Sequence, residues 1–227
     1  MKAAHDAIKK SIIRTPTVKA ARLSVHLGID LYLKLENLQH TNAFKARGAL
    51  NKLLTLSDDE RARGVIACSA GNHAQGLAYH AQRLNIPATI VMPNGTPFNK
   101  IKKTEDFGAK VVLYGMAFDE SVDETMRMAK RDNLVFVHPF DDDDVIAGQG
   151  TIGRELLDQL NGDLDAVFVP IGGGGLAAGV ATYIKVKRPE VKVYGVEPVD
   201  AASMKAALAA GQPVTLDQVG TFADGVA

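Results

Sequence analysis

Short apolar runs alternate with helix-patterned stretches along almost the whole chain, and this alternation restricts its fold more than any other feature. The runs at 31–35, 64–68, 88–92, 110–114, 135–137, 166–169 and 192–196 are rich in Val, Ile and Leu and mostly lack a strict polar alternation. Strands buried on both faces of a parallel sheet have that composition. Between them the apolar spacing predicts helices over 43–54, 72–84, 96–107, 118–131, 145–160, 176–187 and 201–210. Thr41 and Asn42 stand where the first of these needs a cap, and Gly108 closes the third. Strands and helices in this order give an α/β fold with right-handed crossovers. Two glycine-rich strand-to-helix turns, Ser69-Ala-Gly-Asn-His73 and Gly172-Gly-Gly-Gly175, lie far apart in sequence. They imply two open, twisted sheets whose carboxyl ends face a common cleft, the place where such sheets bind ligands.

Composition removes several classes of function. The 227 residues carry 26 Lys+Arg against 26 Asp+Glu, a formal net charge of +0, which offers no long-range attraction to nucleic acid or to an anionic membrane surface. No apolar run approaches the roughly 20 residues needed to span a bilayer. The first twenty residues are interrupted by Lys9 and Lys10, unlike a signal peptide. The lone cysteine, Cys68, fits a reducing cytoplasm. A cytoplasmic enzyme acting on a small molecule is the class that remains.

Three stretches could carry chemistry. At Gly172, Gly173, Gly174 and Gly175 a buried strand runs into a helix, and the missing side chains let backbone N–H groups converge on an anion at the helix start. A phosphate monoester suits this turn; a flexible turn with no ligand is the plain alternative. Neither a dinucleotide fingerprint nor a Walker loop is present in its required context, which argues against a nucleotide-binding module. Lys45 falls in the first turn of a helix among Ala43, Phe44 and Ala46. A cation there opposes the helix dipole and loses hydration, as a nucleophilic amine requires; a lysine that snorkels to water would look the same. Strand 64–68 delivers Ser69, Ala70 and Gly71 onto the helix holding Asn72 and His73, a second place where N–H groups could hold a carboxylate. Cys68 reads as a buried small hydrophobe rather than a partner of His73 in a nucleophilic pair. His73 reads as an orienting or structural group, with no metal-ligand spacing around it. His5, His26 and His40 read as surface or interface residues.

Together, Asn42-Ala-Phe-Lys-Ala-Arg-Gly48, Ser69-Ala-Gly-Asn-His-Ala-Gln-Gly76, Ala147-Gly-Gln-Gly-Thr-Ile-Gly153 and Pro170-Ile-Gly-Gly-Gly-Gly-Leu176 resemble the threonine dehydratase and serine racemase group of fold-type-II pyridoxal-phosphate enzymes, whose fold is like the tryptophan synthase β chain. The resemblance extends over essentially the whole chain and is nearest to the threonine dehydratases. It implies that Lys45 holds pyridoxal 5′-phosphate as a Schiff base and later acts as the base, with Phe44 against the pyridine ring and Asn72 on its 3′-oxygen. Gly172, Gly173, Gly174, Gly175 and Leu176 would cradle the 5′-phosphate, and Ser69, Ala70, Gly71 and His73 would border the substrate carboxylate. The implied reaction is β-elimination on L-threonine, and on L-serine, in a cytoplasmic homodimer or homotetramer. Serine racemase, hydroxyaspartate dehydratase and a catalytically silent remnant that binds only a ligand or another subunit are the alternatives.

Three departures bear on this. Racemases of the group place a serine hydroxyl at the position of Ala70, and alanine cannot donate a proton. Some relatives bind a divalent cation through two carboxylates and a carbonyl; Glu197 and Ala201 match two of these, but Ser203 stands at the third, so no metal is expected. Relatives also continue past position 227, adding strands and the residue that contacts the pyridine nitrogen. The expected organisation is therefore a large domain of 1–50 and 151–227, incomplete at its end and poorly active alone, with a small domain of 51–150 inserted.

Overall fold

The computed structural model describes residues 1–220, 223 and 225. The expectation about the end of the chain falls partly on 221, 222, 224, 226 and 227, which lie outside the described residues. In chain order the elements are α1 (Lys2–Ile8), β1 (Thr17–Lys19), α2 (Ala21–Leu27), β2 (Tyr32–Lys34), α3 (Lys45–Thr55), α4 (Asp58–Arg63), β3 (Val65–Cys68), α5 (Asn72–Arg83), β4 (Ala88–Met92), α6 (Phe98–Asp106) and β5 (Lys110–Leu113). There follow α7 (Phe118–Arg131), β6 (Val135–Phe136), α8 (Asp143–Gln149), α9 (Thr151–Gln159), β7 (Ala166–Pro170), α10 (Gly175–Lys187), β8 (Lys192–Val196) and α11 (Ser203–Ala210).

A four-stranded parallel sheet in the order β5-β4-β3-β6 forms the centre, and β7 pairs with β8 in a second parallel sheet. Val65, Ala67, Ile90 and Met92 from the first sheet pack with Leu53 of α3 and Leu77 and Ala81 of α5 into the main core. Burying each such side chain stabilises the fold by roughly 1.5–3 kcal/mol. A separate cluster joins Ile152 and Leu156 of α9 to Val180 and Ile184 of α10 and Val169 of β7.

Several expectations need correcting. The run 31–35 is not a buried parallel strand: β2 pairs antiparallel with β1 and leaves Tyr32 and Leu33 substantially exposed. β5 is an edge strand and β8 is half open, so their apolar content does not mean burial on both faces. The predicted helix 145–160 is two helices that meet at Gly150, where a side chain would press on the backbone of Gly179. The first predicted helix begins at Lys45. Asn42 takes a left-handed conformation (φ 56°), which asparagine tolerates, so neither it nor Thr41 caps α3. Helices α1, α2 and α4 and strand β1 were absent from the sequence expectation, although Ser57 and Glu60 close a capping box on α4.

Candidate active site

Close backbone crossings, which only glycine permits, bring the motifs together. A Cβ on Gly76 of α5 would lie 3.1 Å from Ala46 N and 3.2 Å from Lys45 C, so α5 rests on the first turn of α3. A Cβ on Gly148 would lie 2.6 Å from Gly48 Cα, and one on Gly179 would lie 2.5 Å from Ile146 O. The pair α8–α9 thus clamps the lysine helix on one side and the helix after the tetraglycine turn on the other. This is the physical content of the Gly148-Gln-Gly150 motif. Gln149 Oε1 accepts the Gly48 N–H at 3.1 Å in the same crossing.

Lys45 is the first residue of α3 and is partly buried. Desolvation lowers its pKa to about 8. Its Nζ donates to Pro139 O at 2.7 Å and lies 5.5 Å from the centre of the Phe44 ring. Among the described ion pairs none engages Lys45. Two residues further on, the fully buried Arg47 is held by Glu36 at 2.7 Å and by Glu155 at 2.7 Å. Burial opposes that guanidinium's charge, but the two carboxylates outweigh it and raise its pKa. Lys34 shares Glu155 at 2.6 Å. The network anchors the start of α3 to α9, and no local sequence signal marks any of its members.

Phe140 follows the carbonyl that receives Lys45. A Cβ on Gly173 would overlap its ring, and one on Gly175 would lie 2.5 Å from its carbonyl oxygen. The lysine and the tetraglycine turn therefore lie against one short segment, 138–140, which joins two motifs predicted separately. Gly174 caps α10 with φ 90°, and no acidic residue occupies the first turn of that helix. Leu176 packs on the second core cluster. Asn72 opens α5, and Ser69 Oγ accepts the Gly71 N–H at 3.2 Å. Ala70 is partly buried against the main core, and the space where a Gly71 side chain would project is open.

His73 is buried, with Nε2 3.1 Å from Val137 O and Nδ1 without a partner. Desolvation, reinforced by Lys45, lowers its pKa to about 3, so the ring is neutral. Cys68 is a buried free thiol pushed up to about 11 by desolvation, which suits packing rather than nucleophilic chemistry. Glu197 accepts the backbone N–H groups of Met204 at 2.8 Å and Lys205 at 2.9 Å, so both carboxylate oxygens cap α11.

The pyridoxal-phosphate-dependent enzyme family model matches residues 8–227. The chain belongs to that family. It is 49% identical to an L-threonine ammonia-lyase of Thermotoga maritima over all 227 residues, which span 56% of that protein. A threonine dehydratase of Arabidopsis thaliana is 51% identical over 95% of the chain, which corresponds to 36% of that relative. Among solved structures, the processed form of threonine deaminase isoform 2 from Solanum lycopersicum superposes with a TM-score of 0.93 at 49% identity, over 99% of this chain and 64% of that one. Maize serine racemase superposes with a TM-score of 0.96 at 33% identity, over 99% and 68%. The chain thus spans 56% of the Thermotoga relative's length and 36% of the Arabidopsis one's.

The residues present fit pyridoxal 5′-phosphate, the cofactor of this family. A partly desolvated amine without a carboxylate partner among the described residues suits its aldehyde. A side-chain-free turn at the start of the 13-residue helix α10 suits its phosphate. No helix among the described residues is long and apolar enough to cross a membrane.

Proposed function

We propose that this chain provides the cofactor and substrate half of a β-eliminating lyase that converts L-threonine to 2-oxobutanoate and ammonia, and L-serine to pyruvate by the same route. The observation that carries the reading is the Lys45 amine, shifted to about 8, facing the same short segment as the tetraglycine turn. Pyridoxal phosphate, when bound, supplies an electron sink that acidifies the amino-acid Cα–H. Lys45 would hold that group and, once free, take the Cα proton at Nζ, a task suited to an amine whose pKa lies near neutrality. N–H groups of Gly172, Gly173, Gly174, Gly175 and Leu176 would bind the phosphate, and Phe44 would flank the ring. Asn72 would orient the ring oxygen, while Ser69, Ala70, Gly71 and His73 would border the substrate carboxylate.

Ala70 favours elimination over racemisation, because its methyl cannot deliver a proton to the opposite face of the substrate. The overall shape shared with maize serine racemase supports a racemase as the second reading, and Ala70 is the observation against it. Support for a division into 1–50 with 151–227 around an inserted 51–150 comes from the central sheet, drawn wholly from within 65–136. A cytoplasmic homodimer or homotetramer completes the reading, on the family resemblance and the single free thiol. The test is keto-acid release from L-threonine and L-serine by the chain supplied with pyridoxal phosphate. 2-Oxobutanoate is the expected product. D-Serine without keto acid would support the racemase, and cofactor uptake with no turnover of any substrate would support the silent remnant.

A further inference from the structure

Between its two anchored ends, the segment joining the two halves of the site donates two backbone N–H groups to one side chain. After β6, the Val137 carbonyl is fixed by His73 at 3.1 Å, and at the far end Asp142 caps α8 and pairs with Lys52 at 2.7 Å. Between these anchors, Pro139 has no N–H to donate. The N–H groups of Phe140 and Asp141 both point to His138 Nδ1, at 3.3 and 2.7 Å. The His138 ring also packs edge-on against Phe140, with centroids 4.6 Å apart, and against Phe136 at 5.8 Å. Because Nδ1 accepts, it carries no proton. Desolvation favours the same neutral ring by lowering its pKa.

We propose that His138 is a positioning residue: by accepting two backbone N–H groups it fixes the 138–140 strap, so that Pro139 O receives Lys45 Nζ while Phe140 walls the phosphate turn. The inference rests on the pyridoxal-phosphate reading only for its second consequence, cofactor affinity. Its first consequence, restraint of the Lys45 amine, stands without any cofactor.

The experiment compares three full chains: wild type, His138→Phe and His138→Asn. The phenylalanine keeps the aromatic packing and deletes the acceptor. Asparagine places Oδ1 close to where Nδ1 was. Reductive methylation by formaldehyde and cyanoborohydride is followed lysine by lysine by peptide mass spectrometry, without cofactor. His138→Phe is expected to speed Lys45 labelling about threefold to tenfold, the worth of one net hydrogen bond, and His138→Asn to restore the wild-type rate. Lys34, buried on Glu155 and far along the chain, reports any general loosening and is expected to keep its rate. The proposal is overturned if His138→Phe leaves Lys45 unchanged, if His138→Asn labels as fast as His138→Phe, or if Lys34 accelerates in parallel. Should His138→Phe not fold, His138→Leu also deletes the acceptor, without the aromatic contacts, and is read against the same Lys34 control. A titration with pyridoxal phosphate then reads the second consequence, with affinity expected to fall by a similar factor in His138→Phe alone. If the labelling pattern holds but no chain takes up pyridoxal phosphate, the strap stands and the cofactor reading falls.

Discussion

At position 45 the chain puts an ammonium where both the helix dipole and the loss of water oppose its charge, and no ion pair among the described residues offsets them. The pKa of about 8 follows from burial, so the amine is protonated below that value and free above it. Labelling of Lys45 should rise with pH through about 8 and level off, whereas exposed lysines keep accelerating toward about 10.4. A Lys45 profile indistinguishable from the exposed lysines would contradict the site. Ala70→Ser is expected to introduce D-serine formation in an enzyme that eliminates without it, measured by chiral chromatography. Unchanged D-serine output would remove the argument from Ala70. These residues were legible because each combines an unusual type with an unusual place: a lysine at a helix start, or four glycines at a strand's end. Arg47, Glu155, His138 and Phe140 were not. Their roles depend on partners distant in sequence, such as Glu155 meeting Arg47 across 108 positions, and no local pattern announces that.

Among the elements, the decisive contacts are helix crossings at backbone distance. Gly148→Ala would press a methyl to 2.6 Å from Gly48 Cα, against backbone rather than a yielding side chain. It should cost about 1–3 kcal/mol and lower Tm. Wild-type stability in that variant would refute the clamp. Arg47→Ala leaves Glu36 without its guanidinium and Glu155 with Lys34 as its one described cation, and should cost about 3–5 kcal/mol in denaturant unfolding. Arg47→Met fills the space but leaves the same carboxylates, so a cost close to that of alanine is expected if charge holds α3, and a clearly smaller one would show that packing does. The periodic signals located α5, α7, β4 and β8 to within a residue or so. They failed where one predicted helix proved to be two that meet at Gly150 and where an antiparallel pair, β1–β2, used apolar residues without burying them. Periodicity reports which face is apolar; it does not report what covers that face.

For the whole molecule, acid is the informative variable. His73 and His80 are neutral when folded, their pKa values lowered to about 3, chiefly by desolvation, and both ring nitrogens of His80 are buried without partners. An unfolded chain takes up protons on these rings near pH 6.5, so between about 6.5 and about 3 it binds more protons than the folded one. Stability should therefore fall as pH drops through that window, by up to about 1.4 kcal/mol per pH unit for each ring. His80→Leu removes one of the two. It should leave Tm at pH 7 nearly unchanged, because the lost nitrogens had no partners, and should flatten the acid decline. An equally steep decline in that variant would place the acid sensitivity elsewhere. The claim that joins residue, element and fold is that the Lys45 amine and the tetraglycine turn form one cofactor site. Borohydride reduction of the chain loaded with pyridoxal phosphate, followed by peptide mapping, tests it most directly. The pyridoxyl group should be recovered on Lys45 alone, and its recovery on any other lysine, or on none, would contradict the account.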